Sequence, residues 1–434
     1  MAAMFFVAFL FCGCGDFFHP VKSTPTPTEY EYNYWLLQKT YLFEEELESL
    51  SPHGDSVENL YYPRSGLKDW YTRYVPPSNS ESASITMNTS IVQGDVGMEY
   101  FLDTSSNTLK ITGDHPLFIA RVYAESPAGR AGIPRYGNII SANDVDLVLA
   151  PQDRSGRSVV ATYDSILNYS KEISLVVATY ESLKVDTFDL VKEDVYAPTV
   201  FLDTVAGIEV ITIDGFKQTT VNRKAGTFGE LKSHLDSTKG EKNARVLNLL
   251  NNGGGHVSQC VAMADLFVTD GPLSTQFWRT FNGGGKSVSL SRTTSATPGD
   301  AGENHKFVLL VNERSASCAE IFTAAVAEGA GVPVVGTRTY GKGIGQTTWQ
   351  TIDNGIAIIT NLKFLTPKGN TYHGKGIEPD YPCEGAATIA CGVEAAKNIY
   401  GNGPALKKSA SGPHEFITLK KRSSDLGGAF MEGN

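Results

Sequence analysis

Ser317 and Lys342 are the two residues whose types and surroundings could together carry out chemistry. A serine hydroxyl is a weak nucleophile until a neighbouring base takes its proton, and lysine can be that base only when its amine is neutral. Burial disfavours the ammonium ion and lowers its pKa, so a lysine that follows an apolar run and lies between two glycines suits this role. These residues therefore predict nucleophilic catalysis by a serine with a lysine base.

Ser317 also has an ordinary structural interpretation. The apolar run Phe307 to Val311 predicts a buried strand, and apolar positions recur at helical spacing from Ile321, so Ser317 lies where a helix begins. With Glu320 it has the form of a capping box, in which each side chain accepts a hydrogen bond from the other residue's backbone N–H. The two roles are compatible, since a nucleophile at a helix N-terminus also gains from the helix dipole.

Lys342 has a competing role as well, because the segment Gly336 to Lys342 matches most of a phosphate-binding loop. Gly343 stands where that loop needs a serine or threonine for the metal, and residues 346–360 have the pattern of strands rather than of a helix. If residues 342–346 are extended, their side chains alternate, and Gln346 lies on the same face as Lys342. Gln346 is therefore predicted to hold the lysine amine.

A glycine-rich segment, residues 251–255, lies between a predicted strand at 245–250 and a predicted helix at 257–267. Glycines at such a junction present backbone N–H groups to an anion. His256 adjoins the segment and is the alternative base, since histidine is the commoner partner of a catalytic serine. No carboxylate that could orient His256 lies at a recognisable spacing from it.

Several separated motifs resemble the signature of the C-terminal processing peptidases, also called tail-specific proteases. In that family the lysine follows the serine by 25 residues and the glutamine follows the lysine by four, which is the spacing of Ser317, Lys342 and Gln346 and selects Ser317 over Ser315. The motifs are SASCAEI at 315–321, VVGTRTYGKG at 334–343, and the later runs 361–369 and 374–380. The resemblance implies a crotonase-like core and peptide-bond hydrolysis without a cofactor or metal.

The resemblance also implies an oxyanion hole, formed by the N–H of Cys318 and that of Gly254, with Gly255 as the alternative glycine. The family has a proline where this chain has Gly253, which leaves the choice between the two glycines open. It has an apolar residue at the position of His256, which favours Lys342 as the base.

Residues 86–196 have the pattern of short strands and turns, and two of their segments resemble a PDZ domain. These are 125–132, which predicts a small helix, and the strand 136–142, where Asn138 replaces the usual aspartate. PDZ domains add an extended peptide to a sheet edge and capture its terminal carboxylate with backbone N–H groups. Val96, Gly97 and Met98 are the predicted binding loop, and a β-rich insertion without peptide affinity is the alternative.

The chain begins with a segment, residues 1–14, that resembles a bacterial lipoprotein signal. Its apolar run is too short to span a bilayer as a mature helix, and Cys14 follows a small residue, as at a lipidation site. An ordinary secretory signal or a misassigned start is the alternative. The remaining predicted divisions are a Pro/Thr spacer at 15–28, a helical N-terminal region at 29–85 closed by a polar linker at 78–84, the PDZ-like domain at 86–196, the serine peptidase core at 197–400 and a polar tail at 401–434.

The whole chain, 434 residues with a net charge of −10, is predicted to be a mixed α/β protein that does not bind nucleic acid. Cys383 and Cys391 are close enough for a disulfide, which an exported protein could form. The expected partners are protein or peptide substrates with free C-termini, and the membrane through the lipid anchor, so the protein would lie in the bacterial cell envelope, facing the periplasm or the exterior. Two other functions stay open: a non-catalytic peptide-binding scaffold and a serine hydrolase with a histidine base.

Overall fold

The computed structural model describes residues 27–401, except 55, 62–68, 104–113, 151, 153–154 and 180–183. The chain is a mixed α/β protein, as predicted. The predicted signal with Cys14, most of the spacer and most of the polar tail lie outside the described residues. Within the described part, no helix combines the length and the apolar composition needed to cross a membrane.

The described part of the N-terminal region is mainly helical, as predicted, and contains one short strand. Thr28 caps the first helix in a capping box with Glu31, and Trp70 and Tyr71 lead into a strand instead of a helix. The polar run predicted as a linker, 78–84, lies inside a helix that starts with proline at its first position, where proline is tolerated. The elements are α1 (Glu29–Thr40), a 3-10 helix (Glu44–Ser49), α2 (Glu58–Tyr61), β1 (Arg73–Val75) and α3 (Pro77–Asn88).

The next region is rich in strands, as predicted. Five strands form an antiparallel sheet in the order β3-β4-β5-β7-β8, β6 pairs with β5, and β2 pairs with β9 in a separate ribbon. The elements are β2 (Ile91–Asp95), β3 (Met98–Leu102), β4 (Leu117–Val122), α4 (Pro127–Arg130), β5 (Asn138–Ala142), β6 (Val145–Asp146), α5 (Arg157–Tyr169), β7 (Glu172–Ala178), β8 (Val185–Val191) and β9 (Glu193–Tyr196).

The last region holds the predicted strand–helix units. The elements are β10 (Val200–Val205), β11 (Ile208–Ile213), α6 (Gly226–Ser237), β12 (Arg245–Asn248), α7 (Val257–Asp265), β13 (Pro272–Phe281), β14 (Ser287–Ser295), β15 (Phe307–Val311), α8 (Cys318–Ala330), β16 (Val334–Gly336), β17 (Ile344–Gln350), β18 (Ile356–Leu365), β19 (Tyr381–Pro382) and α9 (Ile389–Tyr400). A disulfide joins Cys383 to Cys391, which lies in the first turn of α9.

One sheet of this region has the order β10-β11-β12-β15-β16-β19 and is parallel from β11 to β19. Its strands are apolar on both faces because both faces are covered. Ile211, Leu247 and Leu309 are fully buried in the cluster that includes α6, α7 and α8. The alternate residues Val246 and Val308 belong to the cluster that includes α9.

The second sheet carries β17 and also takes in the N-terminal region. Strand β18 pairs with β17, β13 and β1, so the segment at 73–75 is one of its members. Helix α1 packs on this sheet, with Leu36 and Leu37 buried in one cluster with Trp349 and Ile359. The N-terminal region is therefore part of the scaffold beneath β17.

Candidate active site

The predicted nucleophile and the predicted oxyanion loop follow two neighbouring parallel strands. β12 and β15 pair with Asn248 opposite Leu310. Because carboxyl ends of parallel strands meet at one edge of a sheet, the segments after them come together. Ala316 N donates to Asn252 O at 2.9 Å, which joins the two segments directly.

Ser315 and Ser317 occupy different environments. Ser315 is fully buried, and its hydroxyl donates to Leu249 O at 2.8 Å and accepts from Asn312 N at 2.9 Å, so it holds the turn together. Ser317 is partly exposed and immediately precedes α8, with φ of 56°. A positive φ is costly for a residue with a side chain, and such strain concentrates at functional sites.

Glu320 joins the turn at Ser317 to the turn at Lys342. Its Oε2 accepts from Ser317 N at 2.9 Å and from Lys342 N at 2.7 Å. Its Oε1 accepts from Thr339 Oγ1 and from Gly341 N, each at 2.6 Å. Since one oxygen lies within 3 Å of both nitrogens, Ser317 N and Lys342 N are less than about 6 Å apart. The glutamate of the predicted capping box therefore also positions the predicted base.

The Glu320 carboxyl is completely buried, and burial raises its pKa while the four hydrogen bonds oppose that rise. Four donors satisfy most of the acceptor capacity of a carboxylate. This set of partners stabilises the ionised form, since a neutral acid would turn a proton toward N–H donors.

Lys342 and Gln346 contact each other, as the alternation predicted. Lys342 Nζ donates to Gln346 Oε1 at 3.2 Å, and Gln346 Nε2 donates to Thr360 Oγ1 at 2.9 Å. The second hydrogen bond turns the amide oxygen toward the lysine. The pairing of β17 with β18 skips Asn361, so β18 has a bulge there. The bulge places Thr360 opposite Gln346 and so allows the hydrogen bond between their side chains.

The glycines beside Lys342 allow a close approach of the chain. A Cβ at Gly341 would lie 2.8 Å from Gly376 N, and one at Gly343 would lie 3.0 Å from His373 N. β17 follows directly. The helix that a phosphate-binding loop needs is therefore absent from this described segment.

A segment of the N-terminal region lies over the lysine. The amine of Lys342 is 4.0 Å from the centroid of the Tyr71 ring, and Tyr71 and Tyr340 share a hydrogen bond of 3.1 Å between their hydroxyls. Asp69 accepts from Tyr71 N at 2.9 Å and from the Thr72 hydroxyl. Sequence reasoning assigned this segment to the helical N-terminal region and did not place it at the site.

Burial lowers the pKa of Lys342 to about 8. Arg73 acts in the same direction, while Asp69, Cys318 and Glu320 oppose it. A lysine with this pKa has a sizeable neutral fraction near neutral pH, which an exposed lysine lacks. The amine can therefore accept a proton.

The predicted oxyanion donors lie beside Ser317. Cys318 is the first residue of α8, where the N–H has no partner within the helix. Gly254, with φ of +103°, is so close that a Cβ there would lie 2.8 Å from Ser317 Cβ and 2.9 Å from Cys318 N. Its N–H donates to Asn252 Oδ1 at 2.9 Å, so it would have to share or release that bond, and Gly255 stays the alternative.

Asn252 is the residue of the loop that sequence reasoning overlooked. It is fully buried, and its Nδ2 donates to Ile213 O at 2.7 Å while its Oδ1 holds the Gly254 N–H. The position of this asparagine between a strand and a glycine run was the available signal.

His256 caps α7 and is mostly buried. Its Nδ1 lies 2.9 Å from Ser258 Oγ, and its backbone N–H donates to Phe216 O at 2.7 Å. These contacts hold it at the start of its own helix.

Val96, Gly97 and Met98 lie where β2 ends and β3 begins. β3 is at an edge of its sheet, as a peptide-binding strand must be. The Gly97 N–H donates to Asp95 Oδ1 at 2.7 Å, and Ala128 N donates to Val96 O at 2.9 Å. The structure thus brings the three residues together with α4, well away in sequence from Ser317.

Residues 207–383 match the family model described as Peptidase family S41. This matched segment, less than half of the chain, is therefore similar to the S41 peptidases. It includes Ser317, Lys342, Gln346 and the glycine-rich segment, and leaves out the segment at 69–75 that covers the lysine.

Two curated relatives are both named "Probable CtpA-like serine protease". The one from Staphylococcus epidermidis is 28% identical over 354 residues, which cover 81% of this chain and 64% of that protein. The one from Staphylococcus aureus is 28% identical over 314 residues, which cover 72% and 57%. The chain thus spans 64% or less of the length of these relatives.

A crystal structure from Bacteroides fragilis, described as a candidate S41 protease, has a similar fold. The TM-score is 0.56 at 13% identity, and the match covers 89% of this chain and 99% of that one. The similarity extends beyond residues 207–383, so the N-terminal and β-rich regions take part in it.

Proposed function

We propose that this protein is a serine endopeptidase of the C-terminal processing type, with Ser317 as nucleophile, Lys342 as general base and Gln346 orienting the lysine. The observation that carries the proposal is Glu320: one carboxylate oxygen binds the backbone N–H of both Ser317 and Lys342. It sets a serine at a helix terminus beside a lysine whose amine is held by Gln346 and whose pKa is about 8. The S41 match over this segment supports the same chemistry.

In the proposed reaction, the Ser317 hydroxyl attacks a peptide carbonyl while the neutral Lys342 amine takes its proton. The N–H of Cys318 and that of Gly254 or Gly255 stabilise the negative oxygen that forms. The lysine ammonium then gives its proton to the leaving amine, and an acyl-serine remains. Lysine next activates a water molecule, which releases the new C-terminus and restores the serine.

The β-rich region, residues 86–196, is the proposed PDZ-like domain that captures a substrate C-terminus. The edge position of β3 supports this role, because an extended peptide can add to it by backbone hydrogen bonds. Val96, Gly97 and Met98 are the proposed carboxylate loop. The nearby Asp95 carboxylate would repel a bound carboxylate, so Met98 and the edge of β3 would contribute most of the binding.

We also propose that the protein is exported and held in the cell envelope by a lipid on Cys14. The disulfide between Cys383 and Cys391 supports an oxidising compartment, where such bonds persist. The polar Pro/Thr spacer would then lift the peptidase from the membrane surface.

The proposal is tested by incubating the purified protein and its Ser317→Ala and Lys342→Ala variants with unfolded protein substrates and mapping the new termini by mass spectrometry. We expect cleavage near C-termini by the wild type, at least about 10⁴-fold less with Ser317→Ala and nearly as great a loss with Lys342→Ala. Circular dichroism and melting curves of the three proteins check that folding is retained.

Each other outcome has its own meaning. Full-rate cleavage by Lys342→Ala would disprove the dyad, and loss of activity in His256→Ala would then identify a histidine base. Binding of C-terminal peptides without any cleavage by the wild type would instead support a scaffold.

A further inference from the structure

Tyr71 contacts the proposed base, although it lies far outside the segment that matches the S41 family. The Lys342 amine is 4.0 Å from the centroid of its ring. Gln346 Oε1 also accepts from the amine, at 3.2 Å. The amine therefore contacts both a ring from the N-terminal region and an amide from β17.

Tyr71 is held in this place by hydrogen bonds at both ends. Its hydroxyl meets that of Tyr340 at 3.1 Å, and its backbone N–H donates to Asp69 Oδ1 at 2.9 Å. Strand β1 follows directly and pairs with β18, with Arg73 opposite Ile358. The ring is thus fixed to the sheet that carries the lysine.

A chain of hydrogen bonds connects the same segment to the lysine by a second route. Asp69 accepts from the Thr72 hydroxyl, and Thr72 Oγ1 accepts from Thr360 N at 2.9 Å. Thr360 Oγ1 accepts from Gln346 Nε2 at 2.9 Å, and Gln346 holds the lysine amine. Segment 69–75 therefore contacts the base in two ways, through the Tyr71 ring and through this chain of hydrogen bonds. A shift of the segment would displace the lysine amine as well.

We propose that Tyr71 is a positioning residue for the base: its ring covers the Lys342 amine and keeps water away from it, so that the N-terminal segment completes the site. This inference rests on the proposed function of Lys342. Removal of the ring would admit water, which stabilises the ammonium ion and makes the amine a poorer proton acceptor at neutral pH.

A ring over an amine has two opposing effects. It shields the amine from water, which favours the neutral form, and its negative face attracts a cation, which favours the charged form. Burial is the largest influence on Lys342 and leaves its pKa at about 8, below the ordinary value of 10.5, whereas a ring–cation contact corresponds to about one pH unit. The net shift at this amine is downward, so shielding outweighs attraction at the site.

Other titratable or charged groups face the amine and stay in place when Tyr71 is changed. Asp69 and Arg73 come from the same segment as the ring, while Glu320 and Cys318 come from α8. A variant of Tyr71 alone therefore reports on the ring rather than on a lost charge.

The test measures the ionisation of Lys342 directly, in the full chain with lysine labelled with carbon-13 at Cε. The Cε signal that disappears in Lys342→Arg identifies the residue, and its chemical shift against pH gives the midpoint. We expect a midpoint near pH 8 in the wild type and a rise of about one pH unit or more in Tyr71→Ala. Tyr71→Phe keeps the ring and should keep the midpoint.

Activity is measured across the same pH range. In Tyr71→Ala the acid limb of kcat/KM should move upward with the midpoint, giving about a tenfold loss at pH 7 that is recovered at high pH. Trp70→Ala is the matched control, because this neighbouring aromatic side chain is 77% exposed and should change neither quantity. If Tyr71→Ala does not fold, Tyr71→Thr, which suits extended backbone, replaces it.

An unchanged Lys342 midpoint in Tyr71→Ala would overturn the inference, even if activity fell at every pH, since that pattern reports a structural role only. The outcome differs from a failure of the proposed function. If the wild type cleaves nothing, or if Lys342→Ala cleaves at full rate, the proposed Ser317–Lys342 dyad is wrong. In either case the titration midpoint of Lys342 in Tyr71→Ala still tests whether the Tyr71 ring shields the amine.

Discussion

The two halves of the candidate site are built in different ways. The nucleophile half, residues 251–255 and 312–320, is held at the ends of two paired strands by backbone hydrogen bonds and by the side chains of Ser315 and Asn252. The base half, residues 69–75 and 342–346 with Thr360, is held by side chains from segments on several different elements. Contacts at the strand ends fix where the nucleophile lies, while the side chains around Lys342 fix its pKa.

This difference predicts two kinds of variant. A change in the nucleophile half should lower the rate at every pH without moving the pH midpoint, because it leaves the surroundings of the amine intact. A change in the base half should move the midpoint. Because Glu320 contacts both halves, a change of Glu320 should both lower the rate and move the midpoint.

Apart from removal of the nucleophile or the base itself, the largest effect is expected from Gly254→Ala. A Cβ there would lie 2.8 Å from Ser317 Cβ and 2.9 Å from both Ala316 O and Cys318 N, at a φ of +103° that disfavours alanine. The loop must shift, and its N–H leaves the oxyanion, so kcat should fall by about 100-fold to 1000-fold. The measurement is kcat/KM from pH 6 to 10.

Gly253→Ala is the matched control, because a Cβ at that position would meet nothing within 4 Å. Its rate should stay close to that of the wild type. A shifted pH midpoint in Gly254→Ala would show that the two halves are not independent.

The order of the elements around Ser317 could be predicted from sequence because it depends on local patterns. An apolar strand, a cluster of small residues and a helical repeat specify β15, the turn and α8 without knowledge of the rest of the fold. The contact between Lys342 and Gln346 was also predictable, since alternation in an extended segment is a local property.

The cover over Lys342 could not be predicted in the same way. Tyr71 and Tyr340 are separated by 269 positions, and periodicity shows which face of an element is apolar but not which distant segment packs on it. The helix α3 was missed for a related reason: none of its residues is fully buried, so it lacks the apolar stripe that marks a helix.

The next largest effect is expected from Glu320→Gln. The glutamine would turn an NH₂ group toward two of the four donors that now bind the carboxylate, leaving them without an acceptor. We expect kcat/KM to fall about 10-fold to 100-fold and the free energy of unfolding to fall by about 1–3 kcal/mol. Kinetics and urea denaturation measure the two quantities.

Glu394→Gln, on the exposed side of α9, is the control for a change of charge alone. It should alter neither quantity measurably. A full rate in Glu320→Gln would show that the carboxylate is only a helix cap and does not align the two halves.

The smallest effect concerns the stability of the base half, measured with Lys342→Met. The pKa of Lys342 is 10.5 in the unfolded chain and about 8 in the folded protein, so between these values the unfolded chain binds more protons. The contribution of this group to the free energy of unfolding therefore rises as the pH goes from 8 to 10.5. In the other direction it falls over the same range, and below pH 8 the full cost of burying the ammonium remains. Methionine has a similar length and no charge to bury.

Lys342→Met should thus be more stable than the wild type at pH 7. The full pKa difference corresponds to about 3 kcal/mol of unfolding free energy. Because the lysine side chain is partly exposed, we expect about 1–2 kcal/mol. The advantage should shrink as the pH rises toward 10.5, because the folded lysine is then neutral and the unfolded one is losing its proton. Urea denaturation of both proteins at pH 7 and pH 10 measures it, and other titrating groups cancel in the difference. If the difference in unfolding free energy between the two proteins were the same at pH 7 and pH 10, the amine would be well solvated in the folded protein. The side chains of the base half would then not set the pKa of Lys342.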